Sequence, residues 1–281
     1  MVEAAGKYGR VVQAGTQGRS TTALRSVMEF LHSGKLGKLY MARIVCYVPR
    51  ESIGASRNTA IPAGVNYDLW LGPAAYQPFN ETRFHYNWHW FRNTGNGETG
   101  NNGPHLTDLA RWALQKYEYP RRIQSMGGYD VFQSMQETPN THLSMMEYSD
   151  GSRVQLEVRG LCTNAEPGIT KGMIVFGSEG WMQIKFTAQA SWQTYFGRKN
   201  EPGPKGESTG VKLSDESEHF AKLRGCDPHA QRRESERRHS RRSPFDLDVS
   251  PLQHRLSRRA TGRVRFGNRD IPGRSRGRRH V

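Results

Sequence analysis

The stretch GNGETGNNGPHLTDLARWAL, residues 95–114, joins a glycine-rich turn to an amphipathic run. Before His105 it contains four glycines, three asparagines and one proline. Glycine followed by proline favours a helix that begins at Gly103-Pro104, because proline suits the first helical position. Glycines also let a backbone approach a ligand closely. The stretch therefore predicts a helix start, and it leaves open whether that start is also one wall of an active site.

Three patterned segments lie nearer the N-terminus. Residues 10–15 form a short β-branched run that ends at a glycine, and residues 38–48 form a second extended run. The helical segment between them, residues 19–37, has candidate N-caps, an apolar stripe and a terminating glycine: Ser20 and Thr21, then Leu24, Val27, Met28 and Leu31, then Gly34. A strand, a helix and a strand in succession are typical of a parallel α/β unit.

Residues 49–103 are rich in glycine, proline, asparagine and aromatic residues, as long functional loops often are. Beyond the helix the pattern becomes extended in five segments: 122–132, 141–150, 152–160, 171–180 and 181–186. Asp150-Gly151 and Glu179-Gly180 are hairpin signals between consecutive segments. The sequence therefore predicts an α/β segment followed by a largely antiparallel sheet.

Composition excludes several classes of protein. The chain has no run of about 18 apolar residues, the length that a membrane-spanning helix needs. Its three cysteines are far apart and form no CxxC pair, so neither a structural zinc site nor a disulfide framework is indicated. A reducing, cytoplasmic compartment is the expectation, although a signal lost with the N-terminus would permit an exported form.

The net charge of +15 suggests a nucleic-acid partner until its distribution is considered. Residues 222–281 carry 18 basic against 6 acidic residues, whereas residues 1–221 carry 23 against 20. This tail is rich in arginine, poor in apolar residues and aperiodic, so we expect it to be disordered. It has no recognisable binding module, and the prediction is nonspecific phosphate binding at most.

Four stretches resemble the glucose-fructose oxidoreductase / inositol dehydrogenase family (Gfo/Idh/MocA) in order and spacing. They are GKYGRVVQAGTQGRS (6–20), NYDLWLGPAAYQPFN (66–80), HYNWHWFRNTGNGETGNNGPHLTDLARWAL (85–114) and MIVFGSEGWMQIKF (173–186). The resemblance covers roughly residues 3–221. It implies a Rossmann domain for NAD or NADP, followed by an α/β domain with an open, mostly antiparallel sheet, helices on one face and much of a sugar site.

The chain departs from that family at both ends. The family's Gly-rich pyrophosphate turn and Glu-Lys-Pro lysine do not occur before residue 19, and the sequence changes character at Lys222. We therefore expect a truncated start and a tail read out of frame. The predicted organisation is a Rossmann remnant (1–37), a substrate and oligomerisation domain (38–221) and a disordered tail (222–281).

The resemblance implies that His105 is the catalytic histidine. A helix start disfavours imidazolium, and a neutral imidazole can take a hydroxyl proton. The residue four positions earlier is Asn101, where the family usually has aspartate; asparagine cannot take a proton but can hold a substrate hydroxyl. Asp108, three residues after His105, is a candidate to orient its ring. The alternative is that His105 only packs at a helix start.

Other candidates are weaker. The resemblance implies that Gln17 and Arg19, in a turn before a helix, face the nicotinamide end of the cofactor and that Arg19 also contacts substrate. Tyr86, Trp88 and His89 lie in an aromatic-rich segment suited to the C–H faces of a sugar, with a core role as the alternative. His85 and His89 lack a third metal ligand, so no metal site is predicted.

The sequence thus predicts an NAD(P)-dependent oxidoreductase of sugars or polyols, with NAD and NADP not distinguished. This chain is expected to lack most of the cofactor site. A non-catalytic sugar-binding module is the first alternative, and nonspecific nucleic-acid binding through the tail is the second. The resemblance also implies a homo-oligomer that forms through the open sheet.

Overall fold

The computed structural model describes residues 1–166, 168–186, 190–207 and 216–225. The α-helices are α1 (Val2–Tyr8), α2 (Thr22–His32), α3 (Tyr67–Leu71), α4 (Gly97–Asn101), α5 (Gly103–Ala113) and α6 (Ser217–Arg224). Three 3₁₀ helices are Gln17–Ser20, Glu81–Arg83 and His85–Trp90. Within the described ranges no helix is long and apolar enough to cross a membrane.

Eight strands form one sheet. They are β1 (Leu39–Tyr47), β2 (Arg122–Gly128), β3 (Thr141–Glu147), β4 (Arg153–Arg159), β5 (Lys171–Gly177), β6 (Gly180–Phe186), β7 (Ala190–Phe196) and β8 (Glu201–Glu207). Their spatial order is β2-β3-β4-β1-β5-β6-β7-β8. β1 runs parallel to β4, and every other pair of neighbours is antiparallel.

The main core lies between the sheet and two helices. Alternation along β1 turns Ala42, Ile44 and Cys46 toward this side, which we call the helix-covered face. The apolar stripe of α2 and one side of α5 pack against it: Leu24, Val27, Met28 and Leu31 from α2, and Leu106, Leu109, Ala110 and Ala113 from α5. A helix with such a stripe is stable because this surface leaves water.

The opposite side of the sheet, the open face, has a smaller core. Val45 and Tyr47 of β1 pack there with Ile174 of β5 and with Ile169 from the preceding loop. Partly buried Phe176 and Trp181 extend this cluster: they join it at its margin. The predicted open, mostly antiparallel sheet with helices on one face is confirmed.

Most of the predicted elements are confirmed within a few residues. The helix at 22–32, its buried stripe, β1 and the helix at Gly103-Pro104 all occur as expected. So do β2 to β6, and Gly151 adopts a positive φ of 80° in the predicted hairpin. Two strands were not predicted, β7 and β8. β8 contains Pro202 and Pro204, which an edge strand tolerates because it needs fewer backbone donors.

The predicted strand at 10–15 is wrong. These residues form no strand, and the sheet neighbours of β1 are β4 and β5 instead. The predicted parallel α/β unit at the start of the chain is therefore absent from the described residues. An extended run becomes a strand only when a second backbone satisfies its N–H and C=O groups. No described strand pairs with residues 10–15.

α6 returns to the beginning of the chain. The Glu218 carboxylate accepts a hydrogen bond from the backbone N–H of Thr22, at 2.9 Å, and so caps α2 from a distant part of the sequence. The predicted N-cap Thr21 does occupy that position, but its hydroxyl donates to the Gly18 carbonyl. Three residues that we assigned to the tail, 222–224, are helical; residues 226–281 lie outside the described residues.

Candidate active site

The glycine-rich turn is shaped by contact with its surroundings. A Cβ at Gly95 would lie 2.4 Å from His89 Cα, and one at Gly97 would lie 2.7 Å from Thr138 Oγ1. Gly97 also has a φ of 63°, which side-chain-bearing residues rarely adopt. The turn therefore needs glycine for close packing against the 3₁₀ helix His85–Trp90 at Gly95 and against Thr138 at Gly97. α4 and α5 follow this turn.

His105 lies in the first turn of α5, and its side chain is exposed. Its pKa is lowered, first by the partial burial of the imidazole and next by the positive charge of Lys171, while Asp108 acts in the opposite direction. Near neutral pH the ring is therefore uncharged, as the helix position predicts. A neutral, accessible imidazole is the form that accepts a proton.

Asp108 does not have the role that spacing suggested. Its carboxylate is held by Arg19 in a bidentate pair, at 2.7 Å from Nε and 2.8 Å from Nη2. The carboxylate is almost fully buried, and the guanidinium also lies over the Trp112 ring. Asp108 therefore fastens α5 to the 3₁₀ turn that carries Arg19. No hydrogen bond from Asp108 to His105 occurs among the described residues.

A buried carboxylate lies behind the turn. Glu98 is 4% exposed and receives two hydrogen bonds from Arg50, from Nε at 3.2 Å and from Nη2 at 3.0 Å. The Asn102 side-chain amide donates to the other Glu98 oxygen. The Cys46 thiol lies beside this oxygen at 4.0 Å, and burial followed by the Glu98 charge raises its pKa to about 12. Cys46 is therefore a thiol rather than a thiolate.

Asn102 connects this carboxylate to a lysine. Its side-chain oxygen accepts a hydrogen bond of 2.6 Å from Lys171 Nζ, and its backbone is the N-cap of α5. Asn101, the predicted substrate-holding residue, is half-buried and directly precedes it. The structure thus gathers Asn101, Asn102, His105 and Lys171 around the start of α5.

Glu98, Arg50, Asn102 and Lys171 form one hydrogen-bonded network, and two aromatic candidates lie beside it. The Tyr86 hydroxyl accepts a hydrogen bond of 3.0 Å from Arg50 Nη1, and its ring is 60% exposed. His89 is buried with Nδ1 against the Tyr86 carbonyl, and burial lowers its pKa. His89 Nε2 has no hydrogen-bond partner in the part of the chain that the structure describes. A buried polar atom without a partner is suited to a water or a ligand.

Trp88 touches that network through His89, whose ring lies 5.5 Å from its own in an edge contact. Trp88 lines an open cleft of about 500 Å³ with Trp70, Leu71, Asn93 and Thr94. Gln17 is elsewhere, since its amide donates to Glu216 beside α6 at 3.0 Å. The described residues include no group of three or more His, Cys, Asp and Glu side chains that could hold a metal ion.

Sequence reasoning missed four members of the network: Glu98, Arg50, Asn102 and Lys171. Glu98 is the single acidic residue in the glycine-rich turn, a signal that could have found it. Arg50 and Lys171 come from distant segments that carry no local pattern. A second buried group, His142, was also missed: its ring nitrogens pair with Thr99 Oγ1 at 2.9 Å and Ser144 Oγ at 2.7 Å.

Residues 47–179 match the model of the Gfo/Idh/MocA oxidoreductase family, C-terminal alpha/beta domain. This range includes the glycine-rich turn, α5 and the network around Glu98. A search of curated protein sequences gave no significant match.

Solved structures share the fold at low sequence identity. Aldose-aldose oxidoreductase from Caulobacter crescentus, complexed with glycerol, is 14% identical with a TM-score of 0.59, over 92% of this chain and 65% of its own. WlbA dehydrogenase from Bordetella pertussis, with NADH and UDP-GlcNAcA, is 15% identical with a TM-score of 0.52, over 92% and 64%. A super-repressor mutant of Gal80p from Saccharomyces cerevisiae is 12% identical with a TM-score of 0.51, over 75% and 52%.

The chain thus spans about two thirds of the length of the two solved oxidoreductases. Identities this low establish a shared fold, and the family match adds the domain that contains His105. Residues 47–179 of this chain therefore form the C-terminal α/β domain of the Gfo/Idh/MocA oxidoreductase family.

Proposed function

We propose that this chain forms the substrate side of an NAD(P)-dependent oxidoreductase that interconverts a hydroxyl and a carbonyl on a sugar or polyol. The observation that carries the proposal is the state of His105: an exposed imidazole, kept neutral, at the start of α5 within the matched family domain. In the oxidative direction His105 takes the hydroxyl proton, and in the reductive direction it returns that proton to the oxygen.

The surrounding residues have distinct proposed roles. Asn101 holds a substrate hydroxyl, since its amide can both donate and accept but cannot ionise. Tyr86 offers an exposed phenol ring, and His89 offers an unpartnered Nε2. Arg19 supports the site through Asp108, which occupies two of its donors. Trp88, with Trp70, provides an indole surface for the part of a substrate that extends away from His105.

A dinucleotide fits these residues only in part. Gly95, Gly97 and Gly100 have the spacing of a dinucleotide fingerprint, but a 3₁₀ helix rather than a strand precedes them, and the turn contains the buried Glu98. A carboxylate there opposes pyrophosphate binding. Support for NAD or NADP as the hydride acceptor therefore comes from a solved relative, WlbA dehydrogenase with NADH, and not from the glycine-rich turn. Gln17 and Arg19 are the residues that we place nearest to this cofactor.

We propose that the chain is divided between a cofactor side and a substrate side. Residues 1–37 belong to the cofactor side and residues 38–221 to the substrate side, although α2 shares its core with the sheet. Partly buried aromatic residues on the open face, Phe176 and Trp181, suit self-association of two sheets into a homo-oligomer. The cysteine pattern supports a reducing, cytoplasmic location, with an exported form as the alternative.

A non-catalytic sugar-binding module is the second candidate. Two observations favour it: Asn101 stands where a proton-exchanging aspartate would give an acid–base pair with His105, and the Gal80p repressor has the same fold. In that case the site around His105 binds a sugar, and no hydride transfer follows.

Ligand binding to the full chain separates these candidates. Titration with aldoses, polyols and sugar acids, followed by NMR of the His105 imidazole and the Asn101 side-chain amide, is expected to identify a binding class. A parallel titration with NADH and NADPH, followed by their fluorescence, is expected to give weak or no binding by the chain alone. Sugar binding without turnover in a fusion with a cofactor domain favours the binding module. No perturbation at either residue by any sugar contradicts both.

A further inference from the structure

Lys171 occupies an unusual place for a charged side chain. It is the first residue of β5 and pairs with Cys46 of β1 in the antiparallel register. Cross-strand partners point to the same side of a sheet, so Lys171 lies on the helix-covered face with the main core. Its side chain is half-buried, and its ammonium group reaches the start of α5. A lysine near a core has to lose part of its hydration shell, so its contacts there must compensate.

Within the described ranges the Lys171 ammonium group donates its hydrogen bond to one side chain, Asn102. Lys171 Nζ donates to Asn102 Oδ1 at 2.6 Å, while the nitrogen of the same amide donates to Glu98. The Asn102 side chain is therefore held at both ends, with its orientation fixed by a donor on one side and an acceptor on the other. Glu98 is in turn held by two hydrogen bonds from Arg50. Asn102 is the N-cap of α5 and lies between Asn101 and the turn that carries His105.

From this arrangement we infer that Lys171 is a positioning residue for the proposed active site: it clamps the N-cap of α5 and sets the environment of His105. The inference rests on the proposed function only for its catalytic consequence, because the hydrogen bond from Lys171 to the α5 N-cap exists whether or not the protein is an enzyme. Lys171 acts on His105 through the charge of its ammonium group and through its hydrogen bond to the N-cap residue Asn102. Neither effect requires Lys171 to contact substrate.

The charges around His105 support this role. On its own helix it faces Asp108, whose charge is matched by Arg19 from the 3₁₀ turn. On the sheet side it faces the Lys171 ammonium, which favours the uncharged imidazole. Glu98 and Arg50 lie beyond Asn102 and pair with each other. Lys171 is therefore the cation that acts on His105 from the sheet.

Three substitutions separate the effect of the hydrogen bond to Asn102 from the effect of the ammonium charge. Lys171→Met removes both, Lys171→Gln keeps a hydrogen-bond donor without the charge, and Lys171→Arg keeps both. The matched control is Lys185→Met on β6: Lys185 pairs with Gly172, so its side chain belongs to the opposite face of the sheet. The readouts are the pH titration of the His105 ring by NMR and the backbone amide shifts of residues 101–106, both measured on the full chain.

Lys171→Met and Lys171→Gln are both expected to move the His105 titration to higher pH, and Lys171→Arg is expected to restore it. Residues 101–106 should shift strongly with Met and least with Arg. Lys185→Met should change neither readout. If the His105 midpoint and the 101–106 shifts are the same in Lys171→Met as in Lys185→Met, the inference is overturned. If Met prevents folding, the Gln and Arg variants decide it by the same two readouts.

The outcome is independent of whether the protein is an enzyme. If the His105 titration changes in the Lys171 variants but the chain binds no sugar, Lys171 does position the start of α5 and the proposed function is wrong. Sugar binding at His105 with no response to Lys171 keeps the function and rejects the clamp. In the fused enzyme, Lys171→Gln should displace the pH profile of turnover to higher pH, a change that a purely structural residue would not produce.

Discussion

Two groups of ionic side chains lie on opposite faces of the same sheet. On the helix-covered face one carboxylate, Glu98, meets Arg50 and Asn102 with almost no exposure. On the open face, four partly exposed side chains form a network of ion pairs. Arg43 and Arg159 each bind both Glu157 and Glu166. Arg159 also lies over the Tyr47 ring, 4.3 Å from its centroid. The first group connects to Lys171, which acts on His105. In the part of the chain that the structure describes, the second group connects to no candidate site residue.

The difference teaches where charge is costly. Removing one partner of a buried pair strands the other without water, whereas an exposed network loses little because solvent replaces each contact. A cost of this kind is tolerated when the group has a task, and here the buried group holds the N-cap of α5. The open-face group instead covers the edge of the smaller core around Tyr47.

The largest expected effect belongs to His105. In a fusion with a cofactor domain of a solved relative, His105→Ala should lower turnover by about 10²–10⁴-fold, the usual contribution of general acid–base catalysis. KM should change much less, because the proton moves in the transition state. Steady-state kinetics on the best sugar give both values. Arg159→Ala, on the open face, is the control and should keep normal turnover; equal losses in both variants would remove the contrast between the faces.

Glu98 should have the next largest effect. Glu98→Gln leaves Arg50 without its counter-charge and should lower the free energy of unfolding by about 3 kcal/mol, near the lower end for a broken buried pair because Arg50 keeps some contact with water. Urea denaturation of the full chain measures this change. A loss no greater than that of Glu157→Gln would show that burial does not distinguish the two groups.

The third prediction concerns pH and the helix-covered face. Burial lowers the pKa of His142 to about 4, below its ordinary value of 6.5. The unfolded chain therefore binds a proton before the folded chain does, and stability falls as the pH drops from 6.5 towards 4, by at most about 1.4 kcal/mol per pH unit. Denaturation curves at several pH values should show this slope in the wild type. His142→Gln should reduce this slope without abolishing it, because the pKa values of His89 and His105 are lowered as well. An unchanged slope would contradict the prediction.

The smallest effect is expected on the open face. Glu157→Gln weakens the contacts with Arg43 and Arg159, but Glu166 still binds both arginines. The free energy of unfolding should change by less than about 1 kcal/mol, as for partly exposed ion pairs. The comparison with Glu98→Gln uses the same chemical change in both places. A larger loss at Glu157 than at Glu98 would reverse the ranking of the two faces.

Local periodicity predicted much of the fold. The stripe of α2, the start of α5 at Gly103-Pro104 and the alternation of β3 and β4 all follow from spacing within a short window. The strand at 10–15 failed because a strand requires a partner, and the partner is not visible in the segment itself. β8 was not predicted because its prolines and glycines are poor strand formers, which an edge strand tolerates.

The candidate site, like the fold, was predictable only where its residues lie close together in the sequence. His105 and Asn101 belong to one short motif, so the sequence shows them together. The bidentate pair of Arg19 with Asp108 and the bond from Lys171 to Asn102 join segments that are far apart in the sequence. Spacing alone suggested that Asp108 would orient His105, and it could not reveal a competing arginine. Charges that come from distant segments are therefore what sequence reasoning lacks at such a site.

The place of β1 in the sheet also governs how the chain is made. β1 leaves the ribosome before its neighbours β4 and β5, so Met41 waits for Arg153, more than a hundred residues later. Loop closure over such a distance slows folding, and an unpaired apolar strand is open to aggregation while it waits. β1 offers Ile44, Val45 and Cys46 in succession during that interval. Production of this protein in a host cell should therefore depend strongly on chaperones that bind nascent apolar segments.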